Sequence, residues 1–158
     1  MNSLEMLHAL RQLNAEYTGV YPANKLPKVW TTSTAIVANT DDHSQPGQHW
    51  VAFYIDKLGN GTYFDSYGLP PSDSRFLLRL RRNSITHQWN TTQLQGALSQ
   101  TCGQYCCVFL YFTCTGYNLN QFLNLFSVEH TYNDRLIAEL FHKFFLYNKR
   151  KCVMKSSV

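Results

Sequence analysis

The chain has 158 residues, 44% of them hydrophobic and 15% aromatic, and a formal net charge of +4. That supports one well-packed domain over residues 1–158 and excludes a disordered or low-complexity segment. No apolar run reaches the ~18–20 residues of a membrane span, and the first residues lack the basic start and apolar centre of a signal peptide, so the expectation is a chain neither secreted nor membrane-bound.

Residues 2–13 predict an amphipathic helix, with Asn2 and Glu5 at capping-box spacing and Leu4, Met6, Leu7 and Leu10 on one face. Residues 17–30 carry Gly19, Pro22, Asn24 and Pro27 and predict a loop. Residues 34–38 are short, apolar and rich in β-branched side chains, as in a buried strand, and 41–47 form a polar turn. A hairpin follows, with strands over 49–55 and 62–67 joined through 57–61. If Ile55 lies opposite Tyr63, Asp65 faces Phe53 and shares a side of the sheet with His49; a register slipped by one residue would separate them.

Residues 74–82 predict a short basic helix capped by a serine, and Trp89 marks a third strand. Residues 103–115 are apolar on every face, as a buried central helix would be. The last helix spans 133–147, with apolar pairs at 136/137, 140/141 and 144/145, and a basic tail follows. The expected fold class is α/β of the α+β type: a small mixed or antiparallel sheet around a buried central helix.

The five cysteines are Cys102, Cys106, Cys107, Cys114 and Cys152. An odd total with adjacent thiols on one helix is unlike a secreted disulfide framework. The C-x3-C-C-x6-C spacing matches no common zinc pattern, so no metal is expected.

Cys102 stands apart from the other thiols because it opens the apolar helix, where unpaired N–H groups and the helix dipole favour a thiolate. His49, in Gly47-Gln48-His49-Trp50, is a candidate base. Asp65, in Tyr63-Phe64-Asp65-Ser66-Tyr67-Gly68, would hold the imidazole in one tautomer. Gln95 would donate its amide to a developing oxyanion, together with the Cys102 backbone N–H. Gly103 leaves room for a substrate backbone, and Trp50 stands beside the base. Each residue has a plainer reading, as a core thiol, a surface imidazole, an Asx turn or a loop amide. The four together, in the order His, Asp, Gln, Cys, predict a cysteine protease.

These segments, with Thr18-Gly19-Val20-Tyr21, Ala35-Ile36-Val37-Ala38-Asn39-Thr40, Leu94-Gln95-Gly96 and Cys102-Gly103-Gln104-Tyr105-Cys106-Cys107, resemble the adenain family. That family comprises the adenovirus endopeptidases and relatives in Polinton/Maverick-type elements, within the Ulp/SENP-like clan of cysteine proteases. The resemblance implies a papain-like fold with His49, Asp65 and Cys102 as the catalytic group and Gln95 at the oxyanion. It also implies Trp50 and Gly103 in the substrate channel. By the same resemblance the substrates are precursor capsid or core polypeptides cut beside glycine during particle maturation, in a host nucleus or virion, by a monomer.

The family also uses a disulfide-tethered peptide activator and DNA. Ser84 stands where the tethering cysteine would be, which argues against a disulfide here. Arg75, Arg79, Arg81, Arg82, Lys149, Arg150 and Lys151 are the candidate phosphate contacts. Two alternatives remain at this level: a ubiquitin- or SUMO-like deconjugase, and an inactive DNA-associated particle protein of the same fold.

Overall fold

The computed structural model describes residues 1–31 and 33–147. Its element order is α1 (Ser3–Leu10), β1 (Tyr17–Tyr21), β2 (Thr34–Asn39), β3 (Trp50–Ile55), β4 (Asn60–Phe64), α2 (Ser74–Asn83), β5 (Thr86–Trp89), α3 (Cys102–Cys114), α4 (Leu119–Leu123) and α5 (His130–Phe141). The strands form one mixed sheet in the order β1-β2-β3-β4-β5. The pairs β1/β2 and β4/β5 are parallel, and the two between them are antiparallel.

The sheet is covered on both faces, which is why β2 reads as an unbroken apolar run and is buried along its whole length. One face presents Ala35, Val37, Ala52 and Phe64 to α3, around which α1, α4 and α5 close with Met6, Leu10, Phe122 and Ile137. Phe64 stacks on Phe109 of α3 at a centroid distance of 4.6 Å. The opposite face presents Ile36, Val51, Phe53 and Tyr63 to Trp30 and to Phe76 and Leu80 of α2. Phe53 takes Trp30, Tyr63 and Phe76 edge-on there, the favoured geometry for aromatic quadrupoles.

Several expectations change in the structure. The segment read as a loop from 17 contains β1 and then a single 3-10 turn, Ala23–Lys25. Tyr17, Val20 and Tyr21 outweigh Gly19 because pairing with β2 supplies the partner that an isolated segment lacks. The hairpin register also moves. Ile55 pairs with Gly61, and Phe53, not Ile55, lies opposite Tyr63. The cause is the turn: Asp56 Oδ1 accepts the Leu58 and Asn60 N–H groups, and Gly59 takes φ +85°, closing a three-residue loop. The displacement is two residues, so His49 and Asp65 keep a common side.

β4 ends at Phe64, which leaves Asp65 just past the strand. Helix α2 is capped by Asp73, whose carboxylate accepts from the Arg75 N–H, and not by a serine. The final helix starts earlier, at His130, and passes after Phe141 into a π-turn through Tyr147. Helix α4 was not visible in the residue pattern; its Asn118/Gln121 capping box is the signal that marks it.

Candidate active site

Three elements converge at one end of the sheet. His49 immediately precedes β3, Asp65 immediately follows β4, and Cys102 is the first residue of α3. His49 Nε2 lies 2.9 Å from Asp65 Oδ1. The Cys102 thiol lies close enough to the ring for each group to shift the other's pKa. With Nε2 given to the carboxylate, Nδ1 is the ring nitrogen that serves the sulfur. His49 and Cys102 line a cavity of about 270 Å³ together with Gln48, Trp50, Tyr67, Gln95 and Gly103, and Asp65 sits behind the imidazole, outside that lining.

The carboxylate is itself positioned. Its Oδ1 accepts a second bond, 2.8 Å, from the Tyr67 N–H. Asn90, fully enclosed, brackets the Asp65 backbone: its Oδ1 accepts the Asp65 N–H and its Nδ2 donates to the Asp65 carbonyl. The turn continues through Gly68 at φ +72°, where a side-chain carbon would come within 2.6 Å of the Thr92 backbone. Tyr67 lays its ring over the imidazole at 4.9 Å, a partly apolar roof on the His49–Asp65 pair.

The electrostatics follow from these contacts. Burial alone would lower the His49 pKa, but the hydrogen bonds and negative charges of Asp65 and Cys102 outweigh it and lift the value to about 9. Burial alone would raise the Cys102 pKa, but the His49 bond, the Trp50 N–H and the Gly103 N–H hold it below the ordinary thiol value. Both shifts favour thiolate and imidazolium together, the form that attacks a carbonyl. The remaining described thiols differ sharply. Burial drives Cys106 and Cys107 well above the ordinary range and pushes Cys114 up to about 11.

Helix α3 keeps its N-terminal donors for this sulfur. Its N-cap, Thr101, makes no side-chain capping bond. Its hydroxyl donates instead to Asp134 of α5, which also accepts the Gly96 N–H and the Tyr105 hydroxyl. The Gly103 N–H of the first helical turn is therefore left to the Cys102 sulfur, with no capping side chain competing for it.

Gln95 is 1% exposed and reaches the same cavity. Its Oε1 accepts from the Ser66 hydroxyl at 2.6 Å, and its Nε2 donates to the Ser99 carbonyl at 2.8 Å. A carbonyl can only accept, so Ser99 fixes which end of the amide is nitrogen and leaves a second N–H for the cavity.

No protein-family model matches the chain. A protein of Acanthamoeba polyphaga mimivirus named as a thiol protease is 34% identical over 87 residues, covering 48% of this chain and 28% of its own length. The protease of human adenovirus B serotype 3 is 30% identical over 89 residues, covering 48% of this chain and 43% of its own length. The chain is similar in sequence to these two viral proteases over about half of its length. The match takes in less than half the length of either relative. The fold recurs in the central domain of the Lpg1148 protein of Legionella pneumophila, with a TM-score of 0.51 at 14% identity over 90% of this chain and 94% of that one.

The other candidate residues fall as follows. The Trp50 backbone N–H helps hold down the Cys102 pKa, while its ring is half-buried against the α3 core. Gly103 is buried, and a side-chain carbon there would lie 3.2 Å from the Met1 sulfur and 3.3 Å from that of Met6. On α2, Arg75 is tied to Asp73 and Asp42, Arg79 is half-buried, and Arg81 and Arg82 are exposed. Lys149, Arg150 and Lys151 lie outside the described residues. Among the described residues no group of His, Cys, Asp and Glu side chains could hold a metal ion, and no helix is long and apolar enough to cross a membrane.

Sequence reasoning missed Ser66, Tyr67, Asn90, Ser99 and Asp134 as parts of the site. Ser66 and Tyr67 sit inside the motif that carried Asp65, so proximity could have flagged them. Asn90 and Asp134 act across 25 and 38 residues of chain, and no local pattern announces such bonds.

Proposed function

We propose that the protein is a cysteine endopeptidase acting on precursor proteins of a virus or virus-like element. The observation that carries the reading is the seating of His49 between Asp65 and the Cys102 thiol, with the two pKa values moved toward the ion pair. The Cys102 thiolate attacks the scissile carbonyl carbon. As the S–C bond forms, the carbonyl electron pair moves to oxygen, and that oxyanion takes hydrogen bonds from the Cys102 backbone N–H and the free Gln95 N–H. The His49 imidazolium passes its proton to the leaving amine as the C–N bond breaks. Neutral His49 then removes a proton from water, the resulting hydroxide attacks the thioester, and the thiolate departs.

The resemblance to adenain supports glycine beside the cut and a role in particle maturation. A peptide activator, if the chain uses one, is held without a disulfide at position 84, where the serine hydroxyl donates to the Leu80 carbonyl.

The test is mass spectrometry of fragments released from co-encoded capsid proteins by wild type and by Cys102→Ala. Fragments that require Cys102 and begin or end at glycine support the proposal. Equal cleavage by both proteins refutes it. A ubiquitin-like probe ending in diglycine belongs in the same panel, and exclusive reaction with that probe would reassign the substrate class to deconjugation.

A further inference from the structure

Resting on the protease reading, we infer that Ser66 is a positioning residue for the oxyanion donor, acting through Gln95. Ser66 directly follows the catalytic carboxylate in sequence and is 0% exposed. An enclosed hydroxyl is costly unless it is bonded, and this one gives its proton to Gln95 Oε1 at 2.6 Å. The same residue's carbonyl accepts the Leu94 and Gln95 N–H groups at 2.9 and 3.1 Å. Backbone and side chain of one residue therefore hold both ends of the glutamine. The dipeptide Asp65-Ser66 orients the base with one side chain and the oxyanion donor with the next.

The bond matters because an amide has two unlike ends. If Gln95 rotated to present Oε1 to the cavity, a lone pair would meet the developing negative charge. The Ser99 carbonyl selects Nε2 on one side, and the Ser66 hydroxyl holds Oε1 back on the other. Without Ser66, Oε1 is enclosed with no donor, and the amide loses the bond that keeps its second N–H aimed into the cavity. Ser66 itself touches no reacting atom.

The experiment uses two probes on the full chain. Iodoacetamide alkylates the Cys102 thiolate by displacing iodide and uses no oxyanion donor. A peptide ending in glycine aldehyde is captured as a hemithioacetal: the sulfur–carbon bond forms, the carbonyl π pair moves to oxygen, and that oxygen needs the donor. Wild type tests the protease reading itself, since a Cys102 that reacts with neither probe overturns that reading and the inference with it.

Given reactive wild type, Gln95→Ala should weaken aldehyde capture by roughly 10²-fold and Ser66→Ala by about 10-fold, with alkylation rates unchanged. The double variant should be no worse than Gln95→Ala alone, because Ser66 acts only through the glutamine. Ser66→Cys, which keeps a weak donor in nearly the same volume, should fall between wild type and Ser66→Ala. It also provides the comparison if the alanine variant fails to fold. Wild-type capture by Ser66→Ala, or additive losses in the double variant, overturns the inference; if only the cysteine variant folds, wild-type capture by it does the same.

Discussion

Thr101 turns its hydroxyl away from the helix it opens and donates it to Asp134, 3.2 Å away on α5. A residue 33 positions downstream thereby keeps the end of α3 uncapped beside the Cys102 sulfur. Asp134→Ala should cost about 1–3 kcal/mol in urea denaturation, since the Gly96 N–H and the Thr101 and Tyr105 hydroxyls lose their acceptor. The freed Thr101 hydroxyl can then cap the helix and compete with the thiolate for its N–H groups. Alkylation of Cys102 should slow in this variant, and an unchanged rate would refute the competition.

Thiol reactivity should be confined to one cysteine among the four that the structure describes. At neutral pH Cys102 carries the depressed pKa, whereas Cys106, Cys107 and Cys114 are all raised by burial. Brief treatment with iodoacetamide followed by peptide mapping should find the label on Cys102 at least ~10-fold ahead of those three. His49→Ala should remove the preference, because burial then acts on Cys102 without its ion-pair partner.

The pH profile of cleavage should have an acid and an alkaline limb. On the acid side, activity rises as Cys102 ionises, below the ordinary thiol range of ~8.5. On the alkaline side, it falls through about 9, as the imidazolium loses the proton that the leaving amine requires. The stability linkage has the matching sign. The raised His49 pKa contributes stability that is complete below the free imidazole value of ~6.5 and is lost as pH climbs through about 9. Asp65→Asn should narrow the working range and cut kcat by roughly 10²- to 10⁴-fold, through loss of the carboxylate that steadies the imidazolium.

Gly68→Ala should be disruptive despite its small size. The residue sits at φ +72°, and the added carbon would meet the Thr92 backbone at 2.6 Å, where no flexible side chain can yield. A loss of about 1–3 kcal/mol is expected from thermal or urea unfolding, with a larger relative fall in activity because the turn carries Asp65.

Phe109→Ala should probe the core independently of the site. The ring stacks on Phe64 and meets Phe122 edge-on, inside the helix–sheet interface. Its removal should cost about 3–5 kcal/mol by denaturation.

The convergence of His49, Asp65 and Cys102 could be read in the residues before any coordinates. A cysteine at the head of an apolar run, a histidine at a strand start and an aspartate at the end of the paired strand suggested nucleophile, base and orienter. Each sits at the boundary of a strongly patterned element, and local patterning is what a linear sequence records. The parity of the β3–β4 pairing was also accessible, because alternation constrains it even when the register is two residues off. The fold class followed from the same periodicities.

Only the tertiary structure decided which groups hold those residues still. Ser66, Asn90, Ser99, Thr101 and Asp134 work through one to a few hydrogen bonds each, several spanning distant parts of the chain. One such bond imposes no periodicity on its surroundings, so its two ends look like ordinary polar loop residues until folding brings them together. The strand character of β1 was hidden for the same reason: its weak local preference becomes decisive only when β2 lies beside it to complete the backbone pairing.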